Sequence, residues 1–405
     1  MNDKDLHVRA LSSLTASARN ALSAPKGAQP RPLAVRATPF TARRISAEEL
    51  AEVHAGFPAE CTVPFEQGST WSRIFEGNPF ARLGGMFVVE DQDGAAVATC
   101  LITERGEGAS RQAAADDGPV YAREPDAATE AGVLNALVNA LQSEPAPCPF
   151  VLRIRVRHTE ALEGVRPSMG RGIFEREVVV PLADAPVPLE KAFSSSARNT
   201  VRKARRQGVV VREVTENRED VFERECHPVL AQTAERDGFG ALPVWYFRRL
   251  LSLFPEEVRL FTAEVPGHEG CAAWAMSSAH RGWGTYLHAA STSEGQKAGA
   301  PSLLLTTLLE SLREQGCTGA SLTGIGSPAW PELARLEGFK LKFSKTIVEH
   351  PSCMDIPLTK RYDTERRLIE VRKLARRVRS RARQTLGGLK GKIRPDGADG
   401  ASRNA

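Results

Sequence analysis

Residues 193–209 read Phe193-Ser-Ser-Ser-Ala-Arg-Asn-Thr-Val-Arg-Lys-Ala-Arg-Arg-Gln-Gly-Val209, a basic helix running straight into a strand. Serines can start such a helix, because their hydroxyls accept from backbone N–H groups that have no intrahelical partner. Arg198, Arg202 and Arg205 recur at i, i+4 and i+7, near one face. Downstream the pattern predicts a strand over 209–214, helices over 217–236 and 243–254, and three antiparallel-type strands near Val258–Val265, Cys271–Ser277 and Gly282–His288. A helix near 301–315 and strands near Ala320–Thr323 and Lys342–Val348 close the segment. Helices mixed with a strand meander, rather than strict alternation, read as α+β.

Working outward, the 405 residues suffice for two or three domains with substantial cores. Residues 1–34, rich in Ala, Ser, Pro and Arg, are expected to be a disordered or loosely helical leader. A first mixed segment spans 35–185, with helices near Ala47–His54 and Ala127–Leu141. Its strands are expected near Gly85–Glu90, Ala95–Ile102, Val151–Val156 and Glu175–Val180. The second segment spans 186–358, and residues 359–405 form a basic tail with one helix at about 362–386. That tail holds 15 Lys/Arg and 5 Asp/Glu in a chain of net charge +5, so the body is mildly acidic. Leu368, Val371, Ala375, Val378 and Ala382 give the tail helix only a thin apolar stripe.

Seven cysteines, at 61, 100, 148, 226, 271, 317 and 353, include no C-x-x-C pair. That argues against a zinc ribbon or a thioredoxin-like motif, and the odd count and wide spacing fit a reducing compartment. No unbroken apolar core of a signal peptide and no bilayer-length apolar run is evident. The expectation is a cytoplasmic protein. No His and carboxylate cluster has ligand spacing, so no metal is expected.

Three motifs resemble the Fem family, the non-ribosomal peptidyl transferases that move an amino acid from aminoacyl-tRNA onto a peptidoglycan precursor. The first is the basic helix at Phe193–Val209. The second is Thr233-Ala-Glu-Arg-Asp-Gly-Phe239, followed by Trp245-Tyr-Phe247. The third is Glu337-Gly-Phe-Lys-Leu-Lys-Phe343, similar to the family's Phe-Lys-x-x-Phe run. Weaker traces lie earlier. Phe65-Glu-Gln-Gly-Ser-Thr-Trp71 is similar to a Gln-Ser-x-x-Trp motif, and Asp117-Gly-Pro-Val120 to Arg-Gly-Pro-Val. The resemblance covers about residues 60–358 and implies tandem GNAT-like acyltransferase cores. Departures are visible: Phe75 stands where a Lys is common, with Arg73 a candidate stand-in, Asp117 replaces Arg, and Ser321 replaces Asp.

The resemblance also implies site residues. Attack of an amine on an aminoacyl ester passes through an oxyanion that needs a fixed donor in a dry site. Lys340, with Phe339, is placed there. Arg198 is placed on the precursor's phosphates, with Arg202 and Ser196 beside it. Planar guanidinium groups suit phosphate, although such a run is equally a solvated cationic face. Tyr246, Arg236, Gln67, Trp71 and Arg73 complete the substrate-binding set. Tyr246 and Arg236 also read as structural, with Gly238 as a helix C-cap. Among the histidines, His288 alone is kept in reserve. No cofactor is implied. The partners are aminoacyl-tRNA and a UDP- or lipid-linked muropeptide or another amine. The tail is suited to the tRNA backbone, to the inner face of the plasma membrane, or to solvent alone.

Two other readings stand beside this one. Gln296-Lys-Ala-Gly-Ala-Pro301 nearly matches the pyrophosphate loop of an acyl-CoA-dependent GNAT enzyme, but Pro301 offers no N–H. The chain could also be a non-catalytic scaffold that binds nucleic acid or membrane.

Overall fold

The computed structural model describes residues 36–144, 147–170, 172–371 and 375. The expected leader and most of the expected tail helix lie outside them. Two mixed sheets form the body. The first contains β1 (Thr41–Arg44), β2 (Arg82–Glu90), β3 (Ala96–Arg105), β4 (Gln112–Ala114), β5 (Val120–Tyr121), β6 (Val151–Arg155), β7 (Arg166–Pro167) and β15 (Cys353–Pro357). Their order is β1-β2-β3-β4-β6-β15-β7, with β5 on β3. The second contains β8 (Arg176–Pro181), β9 (Val210–Val214), β10 (Val258–Glu264), β11 (Ala273–His280), β12 (Trp283–Ser291), β13 (Gly319–Gly324) and β14 (Thr346–Glu349). Their order is β14-β8-β13-β12-β11-β10-β9.

Two strands cross between the halves. The strand expected near Glu175–Val180 in the first segment is β8, and it pairs with β13 and β14 in the second sheet. In return β15 inserts between β6 and β7 of the first sheet. Its Asp355, fully buried, accepts from Arg153 Nε at 2.9 Å, Ser168 Oγ at 3.0 Å and the Met169 N–H at 2.8 Å. These donors offset the large cost of taking a carboxylate out of water.

The helices are α1 (Ala47–Gly56), α2 (Ala127–Ser143), α3 (Ser195–Arg206), α4 (Arg218–Val221), α5 (His227–Asp237), α6 (Val244–Leu253), α7 (Ser293–Ala298), α8 (Ala300–Glu314), α9 (Ala334–Lys340) and α10 at 361–371. Ser194 caps α3 by accepting from the Ala197 N–H at 3.2 Å. The single helix expected over 217–236 is interrupted. A π-turn at Phe222–Cys226 separates α4 from α5, and Pro228, which has no N–H to donate, follows it. Gly238 ends α5 in the left-handed region at φ 72°, as a C-cap glycine should. The strand expected from Lys342 starts only at Thr346, because Lys340 closes α9 and the chain turns through Phe343 first.

Helix α8 buries Leu303, Leu304, Leu305, Leu308, Leu309 and Leu312 in the second core. A further core is shared by both halves. Trp71 of the first half stacks on Phe254 of the second at 5.6 Å, and Phe65 meets Phe254 edge-on at 5.1 Å. Aromatic pairs of this kind contribute about 0.5–1.5 kcal/mol beyond their burial. The root of the tail is also part of the body. Leu358, Thr359 and Tyr362 are buried, and Tyr362 packs with Phe150, Val151 and Met169. No helix among the described residues is long and apolar enough to cross a membrane.

The inserted strand gives a test. Asp355→Ala leaves the Arg153 guanidinium without its counter-charge and should cost about 3–5 kcal/mol in urea unfolding.

Candidate active site

A cavity of about 580 Å³ lies between the two halves, within the usual range for small-ligand sites. The first half contributes the Thr62–Glu66 segment, Trp71 and Asp117. The second contributes Glu177 and Val179 from β8, Leu287 and His288 from β12, Ser321 and Thr323 from β13, and Tyr246 from α6. In a regular strand Leu287 and His288 would face opposite ways. Met276 pairs with His288 but Ser277 with Tyr286, so Leu287 is an extra residue in the ladder. This bulge lets both neighbours line the cavity.

Several ionisable groups meet there. Glu177 binds His350 Nε2 at 2.7 Å and accepts from the Ser321 hydroxyl. Burial opposes its charge, yet the bonds from His350 and Ser321 hold its pKa below the ordinary value. Asp117 is paired with Arg155 at 2.6 Å. Glu66 has no ion pair among the described residues, and its carboxyl accepts from its own backbone N–H. Burial first, then the charge of Asp117, push its carboxyl up to about 8. Burial also pushes His288 and His280 down to about 4.

Lys340 is 4% exposed and stands just behind the cavity wall. Its Nζ donates to Thr323 Oγ1 at 3.1 Å and to the Gly324 carbonyl at 2.7 Å. Thr323 lines the cavity and sits at φ 63°, a costly conformation for a β-branched residue. Burial lowers Lys340 to about 7, with Glu177 opposing the shift. Its partner Phe339 packs on Phe343 at 5.2 Å against the second core.

The other sequence-derived residues fall into two groups. Trp71 and Tyr246 line the cavity, and Tyr246 meets His288 edge-on at 5.7 Å. Gln67 is a buried strut that accepts from the Leu101 N–H at 2.8 Å and donates to the Asp116 carbonyl at 2.6 Å. Arg73, Arg198, Arg202, Ser196 and Arg236 lie off the cavity wall. Arg73 donates to the Leu253 carbonyl at 3.3 Å, and Arg236 to the Ser291 carbonyl at 2.9 Å. Arg198 donates to the Phe193 carbonyl, and Arg202 to Asn199 Oδ1 at 2.8 Å. Ser196 is exposed near the start of α3. Among the described residues no group of three or more His, Cys, Asp or Glu could hold a metal ion.

A search of curated proteins gives no match to this chain. Residues 182–273 match the model of the FemAB family. A crystal structure of FemX superposes with a TM-score of 0.62 at 16% sequence identity, covering 78% of this chain and 97% of that one. L-PGS from Bacillus licheniformis also matches, with a TM-score of 0.47, 13% identity, and 82% and 97% coverage. So does a tandem GNAT protein from the clavulanic acid biosynthesis pathway, with a TM-score of 0.46, 12% identity, and 78% and 97% coverage. The FemX likeness establishes the fold, an α+β body built on two mixed sheets. The FemAB segment includes α3, α5 and α6, and with them Arg198, Arg202, Arg236 and Tyr246. Lys340 lies beyond it.

In this FemAB-type fold the near-match to a pyrophosphate loop is covered. A Cβ on Gly299 would meet Thr200 Cγ2 at 3.0 Å and Ala204 Cβ at 3.5 Å, both on α3. Lys203 Nζ caps the Lys297 carbonyl at 2.8 Å. Pro301 withholds one N–H of the α8 start. These residues do not fit an acyl-CoA pyrophosphate.

Glu66, Glu177, Asp117, Arg155 and His350 are absent from the sequence-derived set. Glu66 was adjacent to a quoted motif residue, Gln67. Glu177 offered a signal of its own, a charge inside the apolar run of β8.

Lys340 yields a stability test. The unfolded chain keeps this proton up to about 10.5, and the folded protein loses it near 7. Between those values the unfolded state binds more protons, so the parent gains stability as pH rises. Lys340→Met should lack that slope. Urea unfolding from pH 7 to pH 10 should move in the parent's favour by on the order of a few kcal/mol.

Proposed function

We propose that this chain is an aminoacyltransferase that moves an amino acid from aminoacyl-tRNA to an amine, forming an amide. The acceptor we assign is the amine of a nucleotide- or lipid-linked muropeptide, which places the protein in cell-wall biogenesis. The carrying observation is the cavity between the two halves, with Thr323 on its wall held from behind by Lys340. Its volume suits an ester and an amine side by side, and burial keeps water scarce. The FemAB-family match and the FemX-like fold support the same reading.

In this reading the donor ester is already activated, so no covalent enzyme intermediate is needed. As the amine attacks, negative charge develops on the carbonyl oxygen. Lys340 acts through Thr323 and Gly324, fixing the strained wall and supplying positive charge behind it. Trp71 and Tyr246 offer flat apolar surface to the substrates. Arg198 and Arg202, outside the cavity, are the cations offered to the acceptor's diphosphate. The tail arginines are offered to the tRNA backbone.

The full chain should form product from charged tRNA and a UDP-linked muropeptide, and none from acetyl-CoA with the same acceptor. Product from acetyl-CoA would overturn the assignment of donor, and none from either would favour a binding scaffold. Lys340→Met should lower transfer on the order of 100- to 1,000-fold, and activity within about threefold of the parent would remove Lys340 from the mechanism.

The tail is tested separately. Truncation after Val371 keeps the buried Tyr362 and removes most of the tail's arginines. Binding to tRNA should weaken at low salt and its salt dependence should flatten. Unchanged binding would free the tail from this role.

A further inference from the structure

An amine such as a lysine side chain, with a pKa of about 10.4, arrives as an ammonium ion and has no lone pair to attack with. Aminoacyl transfer in this cavity therefore needs a base. We propose that the Glu66 carboxylate takes the proton from the acceptor's ammonium group, an inference that rests on the transfer reading above.

The other cavity groups are already committed. Asp117 is held by Arg155, and Glu177 by His350 and Ser321. His280 and His288 are weak bases, since burial pushes both down to about 4. Tyr246 is pushed up by burial and by Glu66, which makes it a poor base at neutral pH. Among the described carboxyl groups lining the cavity, Glu66 alone has no ion pair and no side-chain bond; only its own backbone N–H donates to it. Its position is rigid. It sits in the turn Phe65–Gln67, with Phe65 buried in the shared core and Gln67 bonded to Leu101 and Asp116.

The charges facing Glu66 come from two elements. Asp116 and Asp117 lie on the loop before β5, Glu177 on β8, and all repel its negative form. Together with burial they keep it protonated below about 8. An ammonium ion entering the cavity reverses this, because its positive charge favours the carboxylate. Glu66 thus releases its own proton as the cation binds.

The reaction then balances. Glu66 takes one proton from R–NH3+, and the nitrogen lone pair forms the C–N bond while the carbonyl electrons move to oxygen. The carbonyl re-forms, the C–O bond to the tRNA ribose breaks, and the leaving oxygen takes up a proton. The attacking nitrogen has lost two protons in all. One ends on the ribose hydroxyl; the other stays on Glu66 and restores the acid that gave its proton to solvent when the cation bound.

The test is a calorimetric titration of the full chain with Nα-acetyl-lysine amide, at pH 7, in buffers of different ionisation enthalpy. Binding by the parent should release close to one proton at pH 7 and almost none at pH 9.5, where Glu66 is already ionised. Glu66→Gln should bind about tenfold or more weakly and release none, while Glu66→Asp keeps the release. If the Gln variant fails to fold, the parent's pH dependence and the Asp variant still decide. Binding without proton release at pH 7, an unchanged release in Glu66→Gln, or no binding by the parent overturns the proposal. None of these readings involves tRNA. A parent that shows the linked proton but transfers nothing from charged tRNA keeps the ammonium site and loses the transfer reading. With transfer running, Glu66→Gln should lower turnover on the order of 100- to 10,000-fold.

Discussion

Backbone pairing between strands that come from opposite ends of the body is the constraint on which the rest of this structure depends. Strand β8 leaves the first half to lie between β13 and β14, and β15 returns to lie between β6 and β7. Each sheet therefore contains an interior strand, one in from its edge, supplied by the other half of the chain. The candidate site is built on this crossing. Glu177 rides on β8, and its partner His350 sits between β14 and β15. Trp71 and Phe254 then close the shared core beside the cavity. The walls are thus held by ladder hydrogen bonds and aromatic packing together.

The electrostatics of the cavity follow from the burial of its groups. Burial drives Glu66 up, and Lys340 and His288 down, each toward its neutral form. Glu177, bonded by His350 and Ser321, escapes that pressure. The resting site consequently carries little net charge for its number of ionisable residues. A group arriving with charge finds neighbours whose protonation can still change, which is the condition for moving protons near neutral pH.

Local chemistry made much of the fold readable. The serine cap before α3, the Gly238 cap after α5 and the leucine run of α8 all carry their own signals. So did the α+β class. The exchange of β8 and β15 was not readable, because alternation marks a strand without naming its neighbours, and those neighbours lie more than a hundred residues away. At the site, Trp71, Tyr246 and Lys340 came from motifs and do reach the cavity or its wall. The arginines of α3 were equally conspicuous and lie off the wall, since a charge pattern places residues on a helix face and says nothing of what that face meets. Glu66 was passed over because its importance depends on lacking a charged partner, a property of the three-dimensional surroundings. The bulge at Leu287 left no mark in the sequence.

The returning strand also has a consequence for how the molecule is made. When β6 leaves the ribosome, its partner β15 lies nearly two hundred residues further along the message. At about 5–20 residues per second, the gap in the first sheet stays open for roughly 10–40 s. Through that interval β6 presents unpaired N–H and carbonyl groups that any passing extended chain could join. The amino-terminal half, although synthesised first, is the half that must wait.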